Sequence, residues 1–447
     1  MFSDNAPAEE VTAGLGPAFT PAETGPAPTA AVPAGWRRHF FPLWSGQALS
    51  LLGSQAAHFA LIWWLTETTG SATVLATASL VAFLPQVALS PLAGVAVDRW
   101  SRKRTMLASD GLVALVSLLL AWLFASGRLA LWHVYAVLFA RALLGVFHWP
   151  AMQASTALMV PGRHLTRVAG LNQALFGLLN IGGPALGALL IARLDLASIM
   201  LVDALTAAAA MLALALVRVP QPAGEAGRRL ASIGADLRAG LAYILRWRGL
   251  LILIGMAMLI KLAITPAFAL LPLLVYDHFS GDAGQLALLE GLLGGGMLGG
   301  GLALTAWGGF RRRIYTILAG LMAVSLGLLP LGLAPADRFE LALAAMLVVG
   351  LSLPFIDGPL FALLQAGVAP NMQGRVFTLL SSLVGLTSPL ALALAGPLSE
   401  LLGLQVWYLA AGAACLLAGA AGFFVPALVA IEARGEQAVA AGPADMI

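Results

Sequence analysis

The chain has 447 residues, of which 60% are hydrophobic and only 10% are charged, against roughly 25% charged residues in an ordinary soluble domain. So few charges cannot cover the surface of a water-soluble protein of this length, which argues against a soluble enzyme, a nucleic-acid-binding protein or a disordered scaffold. The formal net charge is +3, and the single cysteine excludes a disulfide framework and a cysteine-based metal site. The composition therefore predicts a protein embedded in a membrane.

The two ends of the chain differ from the rest. Residues 1–35 are rich in Pro, Ala, Gly and Thr and carry little that could be buried, so they are predicted to form a disordered tail. They lack the basic start and apolar core of a secretory signal. Residues 433–447 are predicted to form a second, shorter tail.

Between the tails the chain consists of apolar segments, each close to the 20 or so residues that cross a bilayer. A polar linker, 218–247, separates a first half, 36–217, from a second half, 248–432. The predicted spans are 40–66, 73–97, 105–126, 130–152, 166–192, 196–217, 248–275, 284–307, 313–334, 340–366, 375–401 and 405–428.

Charge placement gives the predicted orientation. If the N-terminus lies inside, most of the 24 Lys and Arg residues fall on the cytosolic side, while Arg128, Arg193 and Arg338 fall outside. This is the bias expected of cytosolic loops. We therefore expect both termini in the cytosol, and the basic charge needs no nucleic-acid partner.

The two halves resemble each other weakly. The loop after the second span reads VDRWSRKRTML (97–107) and the loop after the eighth reads WGGFRRRIYTIL (307–318), so both place an aromatic residue before a basic triplet. Such repeats indicate two parallel-related halves of six helices. The predicted fold is an all-α membrane protein with twelve transmembrane helices in two pseudo-symmetric halves.

One loop carries a specific resemblance. Residues 94–104 read GVAVDRWSRKR, which resembles the G-x-x-x-D-R-x-x-R-[RK]-[RK] signature of the major facilitator superfamily between its second and third helices. The resemblance implies that Gly94, Asp98, Arg99 and Arg102 form a latch that holds the halves in the outward-facing state. The alternative is that the arginines only set the topology.

Two further matches point to exporters of that superfamily. Arg141–Gly145 resembles an R-x-x-x-G motif whose arginine is associated with proton coupling. Gly183, Pro184 and Gly187 resemble the G-P-x-x-G motif of drug/proton antiporters, although a further glycine of that motif is replaced by Leu179. These glycines could equally serve close helix packing alone.

The start of the core is similar to one branch of the same superfamily. Residues 43–54, LWSGQALSLLGS, resemble the branch that includes macrolide efflux proteins and the enterobactin exporter. The resemblance extends over about residues 36–430. It identifies the type of transporter better than it identifies the transported molecule, because the branch handles several substrates.

Ionisable side chains within the predicted spans are costly unless they have a partner or water. Lys261 in span 7 and Asp357 in span 10 lie near the midplane, and the resemblance implies that both helices line a central cavity. We expect an ion pair that a proton could break, although a permanent structural bridge is an equal alternative. Arg141 in span 4 has no acid at equal depth in span 1, and Glu290 is expected at an exposed or gate position.

The same helices offer aromatic rings and a few polar groups, which suit amphipathic organic molecules. The tryptophans could instead be anchors at the membrane interface, and a lone histidine is more often a simple hydrogen-bonding residue. The predicted cavity residues are Gln55, His58, Phe59, Trp63, His148, Asn172, Gln173, Asn180, Phe268 and Phe355.

The sequence contains neither a phosphate-binding G-x-x-x-x-G-K-[ST] loop nor a clustered metal-ligand motif. The predicted function is non-enzymatic: proton-coupled efflux of amphipathic small molecules (drug, macrolide or siderophore) by alternating access. No cofactor is expected, and the predicted partners are the substrate, protons and membrane lipids, with a monomer in the bacterial cytoplasmic membrane. The alternatives are a lipid or lysolipid flippase, a metabolite importer and a non-transporting membrane sensor.

Overall fold

The computed structural model describes residues 35–220, 238, 241–245, 247–368 and 372–432, without the side chains of residues 91–99 other than Ala93. The predicted tails and most of the predicted linker lie outside these residues. Their boundaries stay predictions.

Twelve helices of the described chain are long and apolar enough to cross a membrane. Their apolar composition explains why they form, since only helices that satisfy their own backbone hydrogen bonds can cross a bilayer as separate segments. The helices are α1 (Trp36–Thr69), α2 (Ala72–Arg99), α3 (Arg102–Ala125), α4 (Leu131–Met159), α5 (Gly162–Ile191), α6 (Leu196–Leu216), α7 (Arg248–Ala269), α8 (Ala283–Trp307), α9 (Arg313–Leu333), α10a (Phe339–Ser352) with α10b (Pro354–Gly367), α11 (Gln373–Leu402) and α12 (Gln405–Gly422).

Two of the predicted spans are interrupted. The tenth breaks at Leu353, and α10b begins with Pro354, whose ring clashes with the preceding turn and which lacks an N–H group. The seventh ends at Ala269 and is followed by a helical turn at Leu271–Leu273 and a π-helical turn at Leu274–His278. The break at Leu353 places Asp357 in the first turn of a new helix inside the span.

The two halves use the same packing scheme. In the first half α1 packs on α5 and α6, α3 packs on α4 and α6, and α2 packs on α4. Six helices later, α7 packs on α11 and α12, α9 packs on α10a and α12, and α8 packs on α10a. The predicted pair of pseudo-symmetric six-helix halves is confirmed.

The halves meet through two equivalent helix pairs, α2 with α11 and α5 with α8. We call the end of the bundle where the odd-numbered helices begin the basic end, because Arg104, Arg163 and Arg311 lie there. At the opposite end, Thr73 Oγ1 donates a hydrogen bond to Glu400 Oε1 across the halves (2.6 Å). A Cβ atom on Gly396 would lie 2.6 Å from the Cα of Thr73, so only glycine permits this approach.

Candidate functional site

Two cavities adjoin each other at the centre of the bundle. The larger, about 430 Å³, lies among α1, α2, α3 and α4 of the first half. The smaller, about 220 Å³, lies between the halves and is lined by α1, α2, α5, α7 and α8. Gln55, His58 and Ala82 line both cavities, so the side chains of one α1 face join them.

A buried charge network lies beside the larger cavity. Arg141 of α4 forms an ion pair with Asp203 of α6, which is fully buried. Ser117 Oγ donates to Asp203 Oδ2 (2.6 Å) and Ser54 Oγ donates to Asp203 Oδ1 (2.8 Å). Arg141 also donates to the backbone carbonyl of Ser54 (3.2 Å). The network thus joins α1, α3, α4 and α6 and gives both buried charges the partners they require.

This pair was not predicted from the sequence, because a partner for Arg141 was expected only in span 1. The pairing could have been predicted from the positions of the two residues in their helices, because α4 and α6 begin at the same end of the bundle. Arg141 lies ten residues after Leu131 and Asp203 lies seven after Leu196, which corresponds to depths of about 15 and about 10 Å.

A second polar cluster lines the larger cavity nearer the basic end. Gln47 Nε2 of α1 donates to Asp110 Oδ2 of α3 (2.8 Å), and His148 Nε2 of α4 approaches Asp110 Oδ1 at 3.1 Å. All three side chains are buried from the exterior. His148 was predicted to face a cavity and does so, whereas its pairing with Asp110 was not predicted.

The ionisable residues of the second half have a different environment. The predicted Lys261–Asp357 ion pair is absent: within the described chain, no nitrogen–oxygen approach of 4.0 Å or less joins these side chains. Lys261 is nevertheless the positive charge that acts electrostatically on Asp357. Asp357 is exposed in the first turn of α10b, where the dipole at a helix N-terminus can stabilise a carboxylate without a contact partner.

Glu290 of α8 lines the smaller cavity together with His58 and the rings of Phe59, Phe83 and Phe268. From the sequence, Glu290 was expected at an exposed or gate position and not among the cavity residues. It lies seven residues after Ala283, about two turns into the helix. This carboxylate therefore faces a space bounded by both halves.

The other predicted cavity residues divide into two groups. Gln55, His58, Phe59 and Phe268 line the smaller cavity. Five others line neither of these two cavities: Trp63 packs edge-on against Tyr276, Asn172 accepts a hydrogen bond from Trp44 Nε1, Phe355 lies beside Trp307, and Gln173 and Asn180 are exposed elsewhere on α5.

The Gly-Pro segment of α5 serves close packing on α1. A Cβ atom on Gly183 would lie 2.8 Å from Gln55 Cβ, and one on Gly187 would lie 2.7 Å from Phe59 Cδ1. Pro184 lines the smaller cavity between these two contacts. The small residues therefore bring the backbone of α5 against two side chains that face the cavities.

The signature segment is described in part. Gly94, Asp98 and Arg99 belong to the end of α2, and their side chains lie outside the described residues. Arg102 is buried and donates to the carbonyl of Ala154 in α4 (2.8 Å). Lys103 Nζ donates to the carbonyls of Ala215 and Val217 at the end of α6. These two cations satisfy backbone oxygens within the first half, as expected near a helix C-terminus.

Two six-helix halves around central cavities with buried charges define a transport protein of the membrane. The chain matches the Major Facilitator Superfamily over residues 43–392, and it belongs to that family. Macrolide efflux protein A of Streptococcus pyogenes is 35% identical over 381 residues, covering 84% of this chain and 93% of the relative. The multidrug efflux pump Tap of Mycolicibacterium fortuitum is 27% identical over 386 residues, covering 83% and 91%.

Solved structures share the fold. A bacterial homologue of the iron transporter ferroportin in its inward-facing state aligns with a TM-score of 0.64 at 19% identity, covering 90% of this chain and all of that one. A D-xylose–proton symporter aligns with a TM-score of 0.63 at 14% identity, covering 86% and 97%. The family match and the efflux relatives, and not these structures, confirm the resemblance to the drug/proton antiporter branch of the superfamily.

Proposed function

We propose that this transporter exports amphipathic small molecules across the bacterial cytoplasmic membrane in exchange for protons. The observation that carries the proposal is the pair of adjoining cavities, one aromatic and one polar, between and beside the two halves. Aromatic rings in one cavity and polar side chains in the other match the apolar and polar parts of an amphipathic organic ligand. Similarity to a macrolide efflux protein and a multidrug efflux pump supports export.

We infer that transport occurs by alternating access, with one half rocking against the other. The contacts between Thr73 and Glu400 and between Trp63 and Tyr276 tie the halves together at the end opposite the basic end. These contacts must separate if the cavities are to open there.

The bias of basic residues supports a cytosolic basic end and cytosolic termini. A monomer suffices for transport, because each chain supplies both halves.

We assign proton coupling to Asp357, with Lys261 as the charge that is released when Asp357 binds a proton. The resemblance of its motif also assigns Arg141 to proton coupling, in addition to its structural pair with Asp203. Because Asp357 is exposed and has no ion-pair contact in the described chain, a proton can bind it without first breaking a salt bridge. This favours a titrating carboxylate over a permanent bridge. Gly94, Asp98, Arg99 and Arg102 remain the proposed latch at the basic end.

The test uses purified protein in liposomes that contain a pH-sensitive dye. A macrolide is added under an imposed proton gradient to the unaltered chain, to Asp357→Asn, and to Asp337→Asn, which removes an exposed carboxylate between α9 and α10a. We expect macrolide-dependent proton movement in the unaltered chain and in Asp337→Asn, and its loss in Asp357→Asn.

Two results would count against the proposal. Proton movement that persists in Asp357→Asn removes this residue as a required carrier. No macrolide-dependent proton movement in the unaltered chain, with protein shown to be folded and inserted, contradicts proton-coupled macrolide export.

A further inference from the structure

Glu290 is a carboxylate without a protein partner. Within the described chain its side chain makes neither a hydrogen bond nor an ion pair. A charged group at this depth of a membrane protein requires a counter-charge or water. Its position on the wall of the smaller cavity means that whatever neutralises it must come from that space.

The cations of the neighbouring spans are engaged elsewhere. Arg141 is paired with Asp203 in the first half. Lys261 forms no ion pair with Glu290 within the described chain. His58 lines the same cavity but also makes no ion pair with Glu290, so the described residues include no ion-pair partner for this carboxylate.

The rest of the cavity wall suits an organic cation. Phe59, Phe83 and Phe268 bring three aromatic rings to the same space as Glu290. The face of an aromatic ring attracts a desolvated cation, and a carboxylate adds a direct counter-charge. Rings and carboxylate together would bind a group that is both apolar and positively charged.

The size of the space indicates how such a ligand would lie. About 220 Å³ is smaller than the 300–1,000 Å³ typical of a complete ligand pocket. The larger cavity of about 430 Å³ adjoins it, and Gln55 and His58 line both spaces. A ligand could therefore place its charged head beside Glu290 and its remaining body in the larger cavity.

We propose that Glu290 and the three phenylalanines form a binding site for the cationic group of an amphipathic organic cation. This assignment rests on the proposed function, transport of amphipathic molecules, and adds the charge of the cargo and the residue that selects it. Binding of a proton to the same carboxylate is the competing explanation, and the following test separates the two.

The experiment measures binding by calorimetry in detergent at mildly alkaline pH, without a membrane or gradient. The probes are tetraphenylphosphonium, a lipophilic cation, and triphenylphosphine oxide, a neutral molecule with the same kind of aromatic groups. The variants are Glu290→Gln, which removes the charge and keeps the shape, and Glu290→Asp, which keeps the charge. Glu340→Gln is the matched control, because Glu340 is exposed in the first turn of α10a.

We expect Glu290→Gln to weaken binding of the cation by about tenfold or more and to change binding of the neutral probe by less than about twofold. Glu290→Asp should retain the preference for the cation, and Glu340→Gln should match the unaltered chain. Thermal unfolding of each variant checks that the fold is kept.

Three results would overturn the proposal. The first is that the unaltered chain does not bind the cation. The second is that Glu290→Gln weakens binding of both probes equally. The third is that Glu290→Gln leaves the affinity for the cation unchanged, in which case Glu290 binds a proton and not the cation. The outcome is separate from that of the liposome assay. Charge-selective binding without macrolide-dependent proton movement would support this site and contradict the proposed function. Macrolide-dependent proton movement without charge-selective binding would support the proposed function and contradict this site.

Discussion

The two halves of this transporter share one helix-packing scheme but differ in whether their ionisable side chains within the helices have contact partners. In the first half, Asp203 and Asp110 are each held by neighbours from other helices. In the second half, Lys261, Asp357 and Glu290 have no hydrogen bond or ion pair from their side chains within the described chain. The same backbone scaffold therefore contains a satisfied polar network in one half and unpaired charges in the other.

This difference separates structural from functional charges. A buried pair with several hydrogen bonds fixes helices relative to one another, and removing one partner is expensive. A charge without a contact partner contributes little to the fold and remains available to a proton or a ligand, and Glu290 is such a charge on the wall of a cavity. The first half is thus expected to be the more rigid, and the second half to respond to cargo and pH.

The largest effect is expected when the Arg141–Asp203 pair is broken. Arg141→Met leaves Asp203 buried and unpaired, and should lower the free energy of unfolding by about 3–5 kcal/mol. The measurement is denaturant unfolding in detergent micelles, followed by circular dichroism.

The double variant Arg141→Met/Asp203→Leu supplies the control for this prediction. It removes both charges, so it should recover much of the loss. If the single and double variants are equally unstable, shape and not charge controls the stability of this network.

A smaller loss is expected at the second polar cluster of the first half. Asp110→Ala removes the acceptor of Gln47 Nε2 and the oxygen beside His148, and should cost about 1–3 kcal/mol because buried polar groups lose their partner. The same unfolding measurement checks it. Asp195→Ala, at the exposed start of α6, removes a carboxylate outside the cavities and provides a comparison for an ordinary helix cap.

The smallest effect on stability is expected in the second half. Asp357→Asn should change the free energy of unfolding by less than about 0.5 kcal/mol, because no contact partner is lost. In the liposome assay, by contrast, Asp357→Asn is expected to abolish macrolide-dependent proton movement, although it hardly changes stability. A destabilisation of several kcal/mol by Asp357→Asn would show that this carboxylate does form a strong pair and would end the contrast between the halves.

Fold and site differ in how far sequence could predict them. The spans followed from apolar length, and the two halves followed from the linker and the repeated basic loops, because both signals are local. The partners of the charged side chains were harder to predict, because Arg141 and Asp203 are 62 residues apart along the chain. The expected Lys261–Asp357 pair failed because similar depth in two helices does not fix which way their side chains point, and the break at Pro354 sets the direction of α10b.

The sequence by itself determined that this protein has twelve membrane-spanning segments, that these form two halves of six, and that the chain is similar to the major facilitator superfamily. These properties depend on composition, span length and short motifs. Only the tertiary structure decided that Asp203 meets Arg141, that His148 meets Asp110 and that Glu290 faces a cavity lined by aromatic rings. Helix rotation and close packing at residues such as Gly183 and Gly187 decide these contacts. Such packing depends on all the neighbouring helices at once, which no single segment encodes.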